Sequence, residues 1–355
     1  MPDSKSLERH SRDSSASRGL LDSHGCISGH HPSDDAYLEI GASTSAGNRY
    51  GPVNQDYCVV QEMYSRGEIP QGGKQLYIAA ICDGHGILGD RLAKDAGKAM
   101  IRYLYNGCLR NKRLQKLPDN DLKAEMTTAF RRGHMAACSH YQTPPKSIQF
   151  PRGKGSSQVM SNFSLIEMNI GGKDGGEKMN VYRCQDRGAQ VGGLFIESGT
   201  TATVCIVQGH RLCLGCVGDS SAVLGSCPSS DREEDHFRGD MTAEVLTLRH
   251  WGCDEGEKER IVSGFSYNTR VLDDGYVKAI DGPLAGYELS VTRALGHPGM
   301  EVHGVIAEPY VITKVLSEND CCIILASDGV WDRVTPEEAV NFVMDAASEG
   351  QVRVS

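Results

Sequence analysis

Three strand-like runs in this chain carry an aspartate beside a glycine at their ends. They are Asp83-Gly84 after the run 75–82, Gly218-Asp219 within 199–225, and Asp328-Gly329 within 320–332. Asp332 follows Asp328 by four residues, and Asp56 follows Asn54-Gln55 just ahead of the run 57–64. Hard divalent cations such as Mg²⁺ and Mn²⁺ take oxygen ligands at about 2.0–2.2 Å and keep several waters. A glycine after a ligating aspartate lets backbone and solvent come close, and its own carbonyl can bind metal. His85, two residues after Asp83, adds an imidazole. Taken singly, each Asp-Gly pair is also ordinary turn chemistry. Four acids at strand ends in one chain argue for a cation site.

The elements that must hold these acids are legible in part. Residues 57–64 and 75–82 read as strands. The stretch 90–107 has Leu92, Ala96, Ala99, Met100 and Tyr103 at helical spacing and a plausible C-cap at Asn106-Gly107. A second amphipathic helix is predicted over 119–141, with Asp119 or Asn120 as N-cap. Residues 199–225 read as an antiparallel meander of three short strands. Short helices are predicted over 254–264 and from Thr335, an N-cap followed by Pro336 and two glutamates. Residues 1–36 show no apolar period and read as a disordered tail. Residues 143–196, with Pro-Pro and several Gly-Gly pairs, read as a long surface insertion. Strand groups beside helical pairs without strict alternation give an α+β class with antiparallel sheets.

Bulk composition narrows the function. The chain has 355 residues, 39% hydrophobic, which suits one large domain or two at most. A net charge of −9 with no basic block, and 6% aromatics, argues against nucleic acid as the partner. No run approaches eighteen apolar residues, so no membrane span is expected, and a monomer is expected. There are thirteen cysteines and no charged-then-apolar leader, which points to a reducing compartment, cytosol or nucleus. Cys213 and Cys216 form a CxxC inside an apolar run with no second ligand pair nearby, so they read as buried structural thiols.

In order along the chain, these segments resemble the metal-dependent protein phosphatases, the type 2C serine/threonine phosphatases. "GPVNQD" (51–56) is similar to the plant-like form of the first motif, and "ICDGHG" (81–86) to the DGHG signature. "SGTTATV" (198–204), "GCVGDSSAVL" (215–224), "LTLRHWGCDEGEKERI" (246–261), "ELSVTRALG" (288–296), "GVIAEPYV" (304–311) and "ILASDGVWD" (324–332) continue it. The resemblance covers about residues 40–345. It implies a four-layer α-β-β-α sandwich of two antiparallel sheets flanked by helix pairs, with two Mg²⁺ or Mn²⁺ ions at one end. By motif position Asp83 would bridge both ions, the Gly84 carbonyl would bind one, and Asp328 the other. Asp56 belongs to the same set, and Asp219 and Asp332 match positions tied to a looser third ion. The implied chemistry is attack on phosphorus by a water activated between the metals, with His85 protonating the leaving alkoxide. The implied partners are phosphoproteins.

The match breaks at four places. Gln55 stands where the family has an acid. Gly51 stands where it has a phosphate-binding arginine, leaving Arg49 as the nearest candidate. His297 stands where it has an aspartate after the RALG segment, and a solvent-facing turn histidine is the expectation there. The closing Asp-Asn motif, another metal carboxylate, is not found before Ser355, so the chain reads as C-terminally incomplete. The leading expectation is a protein serine/threonine phosphatase. The alternative is a phosphatase-like scaffold that binds partners with impaired catalysis.

Overall fold

The computed structural model describes residues 21–22, 25–29, 38–45, 54–63, 76–108, 114–143, 146–152, 156–170, 177–185, 195–227, 232–233, 236–237 and 241–348. The frame is built, in chain order, from β1 (Asp56–Met63), β2 (Leu76–His85), α1 (Gly89–Tyr103), α2 (Asp119–Cys138), β3 (Ala202–Gln208), β4 (Arg211–Val217), β5 (Ser221–Ser226), β6 (Thr242–Val245), α3 (Glu255–Phe265), β7 (Tyr310–Val315), β8 (Asp320–Ala326) and α4 (Pro336–Ser348). One antiparallel sheet runs β1-β2-β3-β4-β7, with Leu21–Asp22 added beyond β1. A second antiparallel sheet runs β6-β5-β8.

Side chains alternate across a strand, and here both faces are covered. Ala202, Val204 and Ile206 of β3 pack with Leu92, Ala96 and Met100 of α1 and Met126 and Phe130 of α2. Cys205 of β3 points the other way, into a layer with Leu212 and Leu214 of β4 and Ala222 and Leu224 of β5. Val223, on the opposite face of β5, meets Val340 and Met344 of α4. The order is therefore helix pair, sheet, sheet, helix; among the described residues one long helix covers the second sheet. Each fully buried Leu, Ile or Phe in these layers contributes about 1.5–3 kcal/mol. Among the described residues, no helix is long and apolar enough to cross a membrane.

The same alternation disposes of the CxxC. Three positions apart on β4, Cys213 and Cys216 lie on opposite faces, both fully buried and neither in a disulfide. Burial pushes the Cys216 thiol up to about 12, so it is a packing group.

Helix ends follow local chemistry, with two departures. Thr335 and Glu338 form a reciprocal capping box: Glu338 N–H donates to Thr335 Oγ1 at 3.2 Å, and Thr335 N–H to Glu338 Oε2 at 2.9 Å. Asp254 caps α3 by accepting from Glu257 N–H at 3.0 Å. The cap of α2 is Pro118, not Asp119 or Asn120; those residues lie inside the first turn, where acids favour the helix dipole. After α1 the chain makes a π-turn, Leu104–Cys108, in place of a cap at Asn106-Gly107.

Residues 143–196 are less of a loose insertion than their composition suggests. Ile148–Arg152 and Ser156–Met160 form a hairpin, and Phe163–Ile170, Glu177–Cys184 and Phe195–Ile196 a three-stranded sheet. Ile148, Met160, Tyr182, Cys184 and Ile196 enter the α1/α2 core, and Tyr182 stacks on Tyr141 at 5.7 Å. The apolar period is real but short, cut by glycine-rich turns. Within the region read as a tail, Leu21–Asp22 pairs with β1 and Gly25–Gly29 pairs with Leu38–Ala42. The remainder of 1–36 lies outside the described residues.

Glu257 ties α3 to the 292–304 segment. Its Oε2 accepts from Arg260 Nη2 at 2.8 Å and Thr292 Oγ1 at 2.7 Å, and its Oε1 from Arg293 Nε at 3.0 Å and Nη2 at 2.5 Å. Arg260 reaches on to the Gly304 carbonyl at 2.7 Å. Burial opposes ionisation of Glu257, but the two guanidiniums and the hydroxyl outweigh it and hold the carboxyl down to about 2. An acid with a depressed folded pKa adds stability above its unfolded value, and that stability is lost as pH falls through the folded one. This contribution is therefore expected intact above pH 4.5 and lost towards about pH 2. Glu257→Gln should cost about 3 kcal/mol at neutral pH and flatten that part of the acid-unfolding curve. Equilibrium denaturation at several pH values checks both.

Candidate metal centre

The register of β1 on β2 sets Asp56 opposite Asp83 at one end of the first sheet. Strand β2 does not stop at Cys82. It continues through His85, because Gly84 pairs with Thr200 and His85 with Gly199, and the chain turns only at Gly86, φ +77°. Asp83 is fixed through its backbone. Its N–H donates to Thr201 Oγ1 at 3.0 Å, and its carbonyl accepts from Thr201 N–H at 2.8 Å and Thr200 Oγ1 at 2.9 Å. Gly84 sits against other backbone: an added Cβ would lie 2.3 Å from the Gly89 carbonyl oxygen and 2.7 Å from that of Gln55. No side chain fits there, so the residue beside Asp83 must be glycine. The Gln55 side chain donates to the Gly86 carbonyl at 2.6 Å. It clamps the turn rather than standing in for a missing acid.

The second sheet delivers the other acids. Ser327, the last residue before Asp328, donates through Oγ to Asp56 Oδ2 at 3.0 Å, which ties the two sheets together at this end. Asp328 opens a single helical turn ending at Trp331. Asp219 follows Gly218, φ +87°, at the end of β4, and its side chain is 6% exposed. Asp332 lies exposed one turn after Asp328, outside the buried group. Arg49 lies outside the described residues.

Electrostatics tie Asp56, Asp83, Asp219, Asp328 and His85 into one cluster. Burial first, then Asp56 and Asp328, push the Asp83 carboxyl up to about 9. Burial also raises Asp56 and Asp219. It lowers His85, against the pull of Asp219, Asp328 and Asp56. Asp219 Oδ1 and His85 Nδ1 are buried without a hydrogen-bond partner. Buried like charges are tolerated only with a proton or a cation among them. The donors are all oxygen apart from one imidazole, a set that suits Mg²⁺ or Mn²⁺.

One functional candidate escaped the sequence reading. Arg249 Nη2 lies 4.0 Å from Asp219 Oδ2, and its guanidinium rests 4.4 Å over the Trp251 ring, with the side chain 48% exposed. The N–H of the next residue, His250, bonds the Gly218 carbonyl at 2.9 Å, which holds Arg249 beside the Asp219 turn. The signal was the Arg-x-Trp spacing, which places a cation and a ring on the same side of an extended segment.

His297 overturns the expectation of a solvent-facing turn. It is fully buried in a left-handed conformation, φ 50°, with its ring centre 6.0 Å from that of His85. Its ring packs on Gly199, where an added Cβ would fall 2.2 Å from His297 Cδ2. Nδ1 lies 3.8 Å from Oε1 of Glu197, itself buried. Burial pushes the Glu197 carboxyl up to about 8, and its Oε1 accepts from Gly299 N–H at 2.9 Å and Met300 N–H at 3.1 Å. Burial holds the His297 imidazole well below its usual range. The pair is neutral filling behind His85, and it fixes the turn that follows the RALG segment.

The cluster carries a testable cost in the metal-free protein. An acid whose folded pKa is raised from 3.8 to about 9 destabilises the fold once its unfolded counterpart ionises, so stability falls as pH rises across that window. In the presence of chelator at pH 8, Asp83→Asn should therefore raise the thermal midpoint by about 2 °C or more while weakening Mn²⁺ binding. Calorimetry of the two metal-free proteins, followed by Mn²⁺ titration, checks this; a lower midpoint in the variant would contradict the charge argument.

The comparisons with known proteins fit this geometry. Residues 178–354 match the family model for protein phosphatase 2C. The strand carrying Asp83 precedes that match. A probable protein phosphatase 2C 1 of Arabidopsis thaliana is 36% identical over 152 residues, 42% of this chain and 31% of that protein. A probable protein phosphatase 2C 38 of Oryza sativa subsp. japonica is 34% identical over 153 residues, 43% of this chain and 32% of that protein. The chain thus spans about a third of the length of these relatives. A serine-threonine phosphatase 2C from Toxoplasma gondii superposes with a TM-score of 0.62 at 14% identity, over 94% of this chain and 89% of that one; this likeness is one of fold. The matched segment and the plant relatives agree, and residues 178–354 form a protein phosphatase 2C family segment.

Proposed function

We propose that this chain hydrolyses phosphoserine and phosphothreonine esters in proteins, using Mg²⁺ or Mn²⁺ held by the carboxylate cluster. The observation that carries the reading is the convergence of Asp56, Asp83, Asp219 and Asp328 with His85 in a partly buried strand-end site, with Arg249 as the neighbouring cation. Asp83, the Gly84 carbonyl, Asp56 and Asp328 would hold two ions, with Asp219 and Asp332 available to a third. When bound, the ions supply Lewis acidity at the phosphoryl oxygens and lower the pKa of a water. The remaining work falls to the chain. Arg249, held by Trp251 with most of its donors free, offers a planar fork to a phosphate oxygen. Arg49 is a second candidate for that role. His85 would give a proton to the departing serine or threonine oxygen, which would otherwise leave as an alkoxide; Asp219, Asp328 and Asp56 favour its protonated form against the burial that opposes it. Packing against His297 keeps its ring in place. The cysteines of the described residues are in no disulfide, which suits a reducing compartment, cytosol or nucleus.

Chelation should abolish hydrolysis of a phosphoserine peptide, and Mn²⁺ should restore it. Asp83→Asn should not recover at any Mn²⁺ level tested. Full turnover under chelator would sink the proposal. The role of His85 separates by leaving group. His85→Gln should slow the phosphoserine peptide by about 10²–10⁴-fold and spare a nitrophenyl phosphate, whose leaving group needs no proton. Equal losses on both substrates would reassign His85 to positioning.

A further inference from the structure

A second group of ligating side chains lies outside the carboxylate cluster. His134 and Cys138 sit one turn apart on α2, and Glu301 comes from the Pro298–His303 turn to the same point. His134 Nε2 is 3.4 Å from Cys138 Sγ and 3.0 Å from Glu301 Oε1, and one donor atom from each residue lies within 4.8 Å of the others. A zinc ion with a nitrogen at about 2.05 Å, a thiolate at about 2.3 Å and a carboxylate oxygen at about 2.1 Å has ligand-to-ligand edges of about 3.4–3.6 Å when tetrahedral. The His134–Cys138 edge matches this range, the His134–Glu301 edge is somewhat shorter, and the third lies within 4.8 Å. Glu301 Oε1 is buried and, although near Nε2, makes no aligned hydrogen bond. His134 Nε2 and Cys138 Sγ are within hydrogen-bond distance, and a cation at this point would exchange that contact for metal–ligand bonds while giving Glu301 Oε1 a partner.

We propose that His134, Cys138 and Glu301 form a Zn²⁺ site whose fourth position is open to water. Nitrogen, sulfur and one carboxylate favour zinc over Mg²⁺, which the oxygen-rich cluster suits instead. The side chains of His134 and Glu301 are 16% and 21% exposed, so an ion can enter and one position faces solvent. Binding releases the Cys138 thiol proton to solvent. His134 Nδ1 accepts from Gly296 N–H at 3.2 Å. Coordination through Nε2 moves the ring proton to Nδ1 and forfeits that one long hydrogen bond against three metal–ligand bonds. The ion would pin α2 to the turn whose Gly299 and Met300 amides hold Glu197, directly after His297. It acts as a structural clamp, and it does not depend on the chain's hydrolytic activity.

Co²⁺ titrated into the chelator-treated full chain is the probe, because thiolate-bound cobalt gives a charge-transfer absorption that an oxygen cluster cannot. One equivalent per chain should develop this band, and Zn²⁺ but not Mg²⁺ should displace it. Cys138→Ser should abolish the band, Glu301→Gln should weaken the affinity at least tenfold, and Cys253→Ser, at an exposed thiol, should change neither. Unfolding midpoints of the metal-free variants establish that each is folded. Should Cys138→Ser fail to fold, Glu301→Gln, which keeps the side-chain shape, decides the matter. Absence of the band in the unaltered chain, its survival in Cys138→Ser, or unchanged affinity in Glu301→Gln overturns the site.

Discussion

Carboxylates buried side by side repel one another, and the end of this sandwich is organised around that repulsion. Antiparallel pairing puts Asp56 across from Asp83, and the Ser327 hydroxyl draws Asp328 of the other sheet to the same place. Nothing in the charges favours this arrangement in the absence of a cation. It is held by backbone hydrogen bonds at Thr200 and Thr201, by two packed sheets, and by a glycine where no other residue fits. Stability made in the layers thereby offsets the concentration of negative charge at one rim, a cost that a divalent ion would relieve.

Behind the acids the fold uses neutral groups. His297 and Glu197 are ionisable by type, but burial disfavours the charged form of each, and they occupy the space behind His85 as shape and hydrogen-bond acceptor. Charge reappears further out at Glu257, where two arginines compensate it and lock α3 to the segment leading into the same turn. The segment 246–261 therefore works by support: His250 fixes the Asp219 turn by its backbone, and Glu257 and Arg260 brace the 292–304 stretch. Arg249 alone in that segment faces the acids.

The sequence by itself determined where the strand-end aspartates fall and most of the frame. Aspartates at strand ends, the three strands of 199–225, the two long helices and the Thr335 capping box are local patterns of period, glycine and hydrogen-bonding side chains, and each is written within a few residues; the expected meander is not formed, because β5 leaves β4 to pair with β6 and β8 in the second sheet. It also pointed to Cys213 and Cys216 as buried structural thiols, since they lie in an apolar run with no second ligand pair nearby.

Only the tertiary structure decided what depends on partners distant in the chain. That Asp83 and Asp328 share a site requires two sheets in register, which no local pattern encodes. The strand that looked finished at Cys82 runs on to His85 because Gly199 and Thr200, over a hundred residues later, offer it hydrogen bonds. His297 looked like a surface turn because its neighbours are Gly and Pro; it is buried because Gly199 leaves a ring-sized gap against it. Residues 143–196 looked like open loop because glycine turns interrupt the period, yet their alternate side chains fill the α1/α2 core. In each case the deciding energy is burial or pairing with a remote segment, and a linear sequence carries that information only once the chain is folded.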